Sequence, residues 1–444
     1  METRKRPHRL LVGLVIAGTF LVAAACGGDD SGSNDTTAAP ATTAASAATT
    51  AASTATTAAS TETTAGSTET TAKSTATTAG GTATTAGGGS GKFVATAEGC
   101  TEHGVTDPSD MSVGREPARC EAGYPAPQPL AERAHLKVSS AFSLEFMSPI
   151  LLAQSLGEFE KENIEIEMVN VSYADAVPQL AQGTIDASVG GLEIALFNAG
   201  NQGLPVKAVL GNYYPPNAGD YTQPQTGLWC RTDSFSDPSN PDPAEVQDMV
   251  WASSVGKGSI SIWYSATELK NRVPDFDITN TEVQQIPSAD TVTALQNGAI
   301  DCGILLDPLW LQVADDPAYV LMATQTPGEP LGQISFGKNL LEDHPEVGEA
   351  FVRAYLRTIN TYYDGDYHSD PDVMNEIAKQ TGVTIERMTQ VPSLVFDWEF
   401  RDRTTTAVQQ FFIDGGVITQ FTEPVPEDQL IDRSFVLQAV GAQQ

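Results

Sequence analysis

Positive charge is scarce in this chain. Its 24 lysines and arginines face 56 aspartates and glutamates, a formal net charge of -32 over 444 residues. A nucleic-acid partner needs a basic face for its phosphates, so that class is excluded. The same charge says little about a small ligand, because surface charge is screened within about 8 Å at physiological salt. Histidine is nearly as rare, with only His8, His103, His135, His344 and His368. No H-E-x-x-H pattern, G-x-S-x-G nucleophile elbow, phosphate loop or close cluster of metal-ligating residues occurs. No catalytic residue, metal site or cofactor is therefore assigned, and the chain is expected not to be an enzyme. Long apolar runs are missing too. The longest, residues 10–25, is roughly 16 residues, short of the ~20 that span a bilayer core.

That run follows Arg4, Lys5, Arg6 and Arg9 and ends in LVAAACGG, the layout of a secretory signal with a cleavage site. With Cys26 at the cut, it resembles a bacterial lipoprotein signal, in which the cysteine is lipidated; Ala23 stands where leucine is usual. Residues 1–25 are accordingly read as signal peptide. Residues 26–91 are read as a lipidated cysteine followed by a Thr/Ala/Ser/Gly tether, too poor in apolar side chains to offset its ordering entropy. The expected address is the outer face of a bacterial cell membrane, with the lipid as anchor. Cys100, Cys120, Cys230 and Cys302 remain, an even set in an exported protein. Three connectivities are possible. Local pairing favours Cys100 with Cys120, which leaves Cys230 with Cys302.

One phrase occurs twice. ADAVPQLAQGTID begins at Ala174 and ADTVTALQNGAID at Ala289. In each copy a valine and a leucine three apart share a helical face: Val177 with Leu180, and Val292 with Leu295. Asp175 and Asp290 are expected as N-caps, and Gly183 and Gly298 as helix stops. Pro178 is expected in the first helical turn. A short apolar strand follows each glycine. The preceding segments match as well, so both regions read β-α-β-α-β, which predicts two lobes with mostly parallel sheets and right-handed crossovers. The expected division is a stapled surface strap at 92–133, lobe 1 at 134–226, lobe 2 at 227–330, and a return to lobe 1 with C-terminal helices at 331–444. In HPEVGEAFVRAYLRTINTYY, the stripe Val347, Phe351, Ala354, Tyr355 and Thr358 predicts a buttressing helix.

Open parallel sheets bind ligands beyond the carboxyl ends of their strands. The expected cleft walls are SLEF (143–146), SVGGLE (188–193) and GNYY (211–214) from one lobe, and GKGSIS (256–261) and LLDPLW (305–310) from the other. GKGSIS would offer free N–H groups, two glycines and Lys257 to a small anion. Glu145, Glu193 and Asp307 oppose that lone lysine. Phe142, Phe146, Tyr213, Tyr214, Trp263 and Trp310 add aromatic surface suited to a flat ring or an amine.

These stretches, together with FSLEFMSPILLAQSLGEFEKENIEIEMV, NQGLPVKAV and HPEVGEAFVRAYLRT, resemble the periplasmic solute-binding proteins of ABC importers for nitrate, alkanesulfonates, taurine and thiamine-pyrimidine precursors. The resemblance implies an α/β, two-lobed clamp of the type II periplasmic-binding-protein kind, monomeric, that hands a small molecule to a permease and ATPase complex. It implies ligand contacts from Ser143, Glu145, Ser188, Gly190, Asn212, Lys257, Gly258, Ser259, Ser261 and Asp307, to which the strand-end reading adds Tyr213 and Trp310. Where many relatives have W-E-P, this chain has Leu306, Asp307 and Pro308. The implied ligand is a small sulfonate, a nitrate-like ion or an amino-sulfonate. The alternatives are a pyrimidine or other aromatic heterocycle, or a lipoprotein that senses a ligand without transporting it.

Overall fold

The computed structural model describes residues 93–110, 112, 115–214, 226–325 and 331–443. The signal segment, Cys26 and the tether lie outside the described residues. Among the described residues no helix is long and apolar enough to cross a membrane.

In chain order the strands are β1 (Ala134–Ser139), β2 (Ile164–Val169), β3 (Ala187–Gly190), β4 (Lys207–Gly211), β5 (Tyr213–Tyr214), β6 (Gly227–Arg231), β7 (Val250–Ser253), β8 (Glu282–Gln285), β9 (Cys302–Leu305), β10 (Tyr319–Thr324), β11 (Gln333–Phe336) and β12 (Val395–Phe396). Two five-stranded sheets form, ordered β2-β1-β3-β11-β4 and β8-β7-β9-β6-β10. The orders are equivalent position by position. In each sheet the first three strands pair in parallel and the last two join antiparallel. Four strands of each sheet therefore run in one direction, as expected of mostly parallel sheets, and a single strand, β11 or β6, runs against them. The reason lies in the crossings: β6 enters the second sheet at the crossover from the first, and β11 re-enters the first on the way back. Two chain crossings thus join the lobes.

The repeated phrase occupies equivalent places, as helix α2 (Tyr173–Gln182) leading to β3 and helix α6 (Ser288–Gln296) leading to β9. Between them lie α3 (Ile194–Asn201), α4 (Pro243–Gln247) and α5 (Ile260–Arg272), with α1 (Ser148–Ser155) upstream. Gly183 and Gly298 take left-handed φ of 73° and 74° after the helices, as expected of stops. The caps differ from expectation. Ser172 caps α2, its hydroxyl accepting from the Asp175 N–H, and Pro287 precedes α6; both aspartates sit in the first turn, where the helix dipole favours acids. Pro178 consequently lies in the second turn, inside the helix.

Apolar clusters cover both faces of each sheet. Helix α7 (Pro345–Tyr362) buries Phe351, Ala354, Tyr355 and Thr358 completely, while Val347 is half-buried. Each fully buried large apolar side chain contributes about 1.5–3 kcal/mol. From α5, Ile260 and Tyr264 pack into the cluster of α2 and α3, so the lobes share apolar contact beside the cleft.

Disulfides join Cys100 to Cys120 and Cys230 to Cys302. The strap is more deeply integrated than a surface attachment. Ala95, Cys100, Ala118 and Cys120 are buried in the first lobe's core. Arg115 pairs with Asp397 at 2.9 Å, both buried. From α7, Arg353 donates to the Gln128 carbonyl, and Arg357 donates to the Pro125 carbonyl and both Glu158 and Glu162.

Candidate functional site

Beyond the carboxyl ends of β1, β3, β7 and β9, three neighbouring cavities that share lining residues lie between the lobes. The outer chamber, about 400 Å³, is walled on one side by Phe142, Ser143, Ser172, Tyr173, Ala174 and Glu193. Ser254, Val255, Gln285, Ser288, Ala289 and Leu309 form the facing wall. Ala174 and Ala289, the first residues of the two repeated phrases, thus face one chamber from opposite lobes. Phe142, Glu193, Ser254 and Val255 also line a neck of about 50 Å³, with Gly190, Ser259 and Ser261. Phe146, Tyr213, Leu306 and Leu331 lead from the neck to a floor niche of about 10 Å³, which Glu145, Thr226, Asp307, Gln325 and Leu394 complete.

A larger cavity, about 550 Å³, lies around Ala134, His135, Asp186, Asn339 and His344. It sits at the amino end of β1, away from the strand ends where ligands bind. Asp186 there has both carboxylate oxygens engaged, by the Lys137 N–H and by Asn339.

Carboxylates dominate the cleft, and among the described residues no lysine or arginine lines any of its three cavities. Burial pushes Glu193 up to about 8, only partly opposed by a backbone hydrogen bond at Gly191. Burial likewise raises Asp307 to about 6. The Thr226 hydroxyl, donating at 2.6 Å, and the Trp310 indole N–H restrain that rise, while the charge of Glu145 adds to it. Glu145 is 1% exposed, and its Oε1 is held at 2.6 Å by both the Tyr367 hydroxyl and His368 Nε2. Burial alone would lower His368, yet its hydrogen bond to Glu145 and that group's charge raise it overall. The phenol of Tyr213 stacks on Phe146 with centroids 5.1 Å apart.

The structure brings Ser143, Glu145, Gly190, Tyr213, Ser259, Ser261 and Asp307 to the cleft, with Glu193 beside them. Five expected contacts lie elsewhere. Ser188 is buried within the sheet, bonded to Ser139 at 2.7 Å. Asn212 fastens the backbone, donating to the Phe146 carbonyl and accepting from Tyr355. The Lys257 amino group is taken up by the carbonyls of Thr279 and Thr281, at 2.8 and 3.2 Å. Gly258 meets Ile194 of the other lobe, where a Cβ would come within 2.5 Å. Trp310 is wholly buried, stacked on Trp229, and acts on the cleft by holding Asp307.

His368 is the main residue that sequence reasoning placed outside the site. It stands one side chain behind the floor, joined to it through Glu145, 223 positions away in sequence, and nothing local marks it. Tyr173 and Ser288 were legible in principle, since each opens a helix at the end of a strand-to-helix turn. Gln325, on a crossing segment, carried no signal.

A family model described as the NMT1-like family matches residues 131–380. Among solved structures, the periplasmic nitrate-binding protein NrtA from Synechocystis PCC 6803 is similar, with a TM-score of 0.51 and 13% identity over 71% of this chain and 89% of that one. The periplasmic aliphatic sulphonate binding protein SsuA from Escherichia coli gives 0.49 and 16% over 67% and 92%. The desulfurization enzyme DSZB gives 0.46 and 15% over 70% and 99%. No curated protein matches this sequence. The first of these likenesses supports the two-lobed fold, and none of them identifies a ligand. With more than half of its length matched, the chain belongs to the NMT1-like family.

Proposed function

We propose that this protein is the extracytoplasmic solute-binding component of an ABC importer, tethered to the membrane through Cys26 and handing a small molecule to a permease and ATPase. In this reading lobe 1 comprises 134–226 and 331–444, and lobe 2 comprises 227–330. The observation that carries it is the cleft itself, lined from both lobes at the carboxyl ends of their strands. Ligand that touches both walls favours the closed arrangement by its differential affinity.

Of the ligand classes implied by sequence, the lining weighs against a bare nitrate or simple sulfonate. Three carboxylates surround the cavity, and Lys257 is committed to carbonyls. Amino-sulfonates and nitrogen heterocycles, which bring N–H donors, suit it better. The test is a thermal-shift screen followed by calorimetry over nitrate, ethanesulfonate, taurine and aminopyrimidines. The expected result is at least one saturable binder at micromolar affinity, about -8.2 kcal/mol. If no compound of any class binds, the solute-binding reading fails.

One observation favours a second reading, an enzyme on this fold: the buried pair of His368 and Glu145 at the cleft floor. Mass spectrometry of the bound compound after long incubation distinguishes the two, since a binding protein returns it unchanged.

A further inference from the structure

Two acceptors in the floor niche have no partner. Glu145 Oε2 and Gln325 Oε1 are buried without a hydrogen bond, on residues each 1% exposed. An unmet buried acceptor costs about 1–3 kcal/mol, more when charged. Both residues line the same small space. Each is held by its other end: Glu145 Oε1 by Tyr367 and His368, and the Gln325 amide by donating to Ser261 Oγ at 2.9 Å. The free oxygens are therefore fixed rather than loose. Asp307 contributes a third acceptor group from the opposite lobe, with lone pairs beyond those met by Thr226 and Trp310. Apolar and aromatic side chains close the remaining walls: Phe146, Tyr213, Leu306, Leu331 and Leu394.

The volume restricts what fits. About 10 Å³ is room for one water-sized group. A sulfonate or a guanidinium is too large, and an anion would face two carboxylates and the free Gln325 oxygen. A primary ammonium is one heavy atom with three donors, matching three acceptor groups.

We propose that this niche is an ammonium-recognition subsite, seating the primary amino group of the solute between Glu145, Gln325 and Asp307. The neck then passes the solute's short chain, and the outer chamber holds its larger body against Phe142, Tyr173 and Leu309. Because Glu145 and Asp307 come from different lobes, the ammonium also bridges the clamp where the two acids would otherwise repel. This inference rests on the solute-binding reading and names the ligand class for the same cleft.

Matched pairs that differ only by amine and hydroxyl test it: phenethylamine against 2-phenylethanol, and taurine against isethionate, by calorimetry on the full chain. An amine is expected to bind at least tenfold tighter than its alcohol. Glu145→Gln and Gln325→Met should each weaken the amine at least tenfold and leave the weak alcohol unchanged, with melting temperature recorded to show that the variants fold. Equal binding of amine and alcohol, or amine affinity indifferent to both variants, overturns the subsite and means that water alone occupies the niche. Should ethanesulfonate or nitrate bind while all amines fail, the subsite is wrong but the solute-binding role survives. If no member of any pair binds and the anions also fail, both readings fall together.

Discussion

At the scale of single residues, the cleft stores electrostatic cost. Glu193 has a folded pKa of about 8 against an ordinary 4.5. The folded state therefore keeps a proton that the unfolded chain releases between those values. Stability is full below pH 4.5 and falls as pH rises toward 8. The shift corresponds to about 5 kcal/mol at one pKa unit per 1.36 kcal/mol. Glu193→Gln should thus stabilise the protein at pH 8.5 and leave it nearly unchanged at pH 4, read by denaturant melts at both. A flat difference across that range would show that Glu193 is solvated. Asp307, at about 6 against 3.8, obeys the same sign over a lower window, with its cost appearing as pH rises from 4 to 6. Such costs are tolerable where a cationic partner removes them, which is how a binding site differs from a core.

Among elements, the repeated phrase carried most of what the sequence could say. Its valine and leucine, its glycine stop and its following strand all appear in both lobes, because helix periodicity and the left-handed glycine are local physics. The antiparallel fourth strands, β6 and β11, were not legible as such, since an apolar run does not reveal its direction. Site residues divided the same way. Residues at strand ends, such as Glu145 and Asp307, could be placed by topology alone. Lys257 and Trp310 occupied the right turns, yet side-chain direction within a turn depends on neighbours that sequence does not place. His368 and Gln325 reach the floor only through tertiary packing. The disulfides act at this scale too. Cys230 and Cys302 face each other across the β6–β9 ladder and close 72 residues, worth about 4 kcal/mol in the loop-entropy account. Replacing both with serine should lower the melting temperature and m-value-derived stability by several kcal/mol. Unaltered stability would mean that the second sheet holds β6 without help.

For the whole molecule, the equivalent strand orders place the carboxyl ends of two sheets toward a common cleft, and the chain passes twice between the sheets. Ile260 and Tyr264 of the second lobe pack into the first lobe's apolar cluster. Solution X-ray scattering of the full chain, recorded with and without a saturating concentration of the tightest binder from the screen, tests the clamp most directly. The account predicts a smaller radius of gyration with solute. Superimposable curves at proven saturation would contradict closure of the lobes around a ligand.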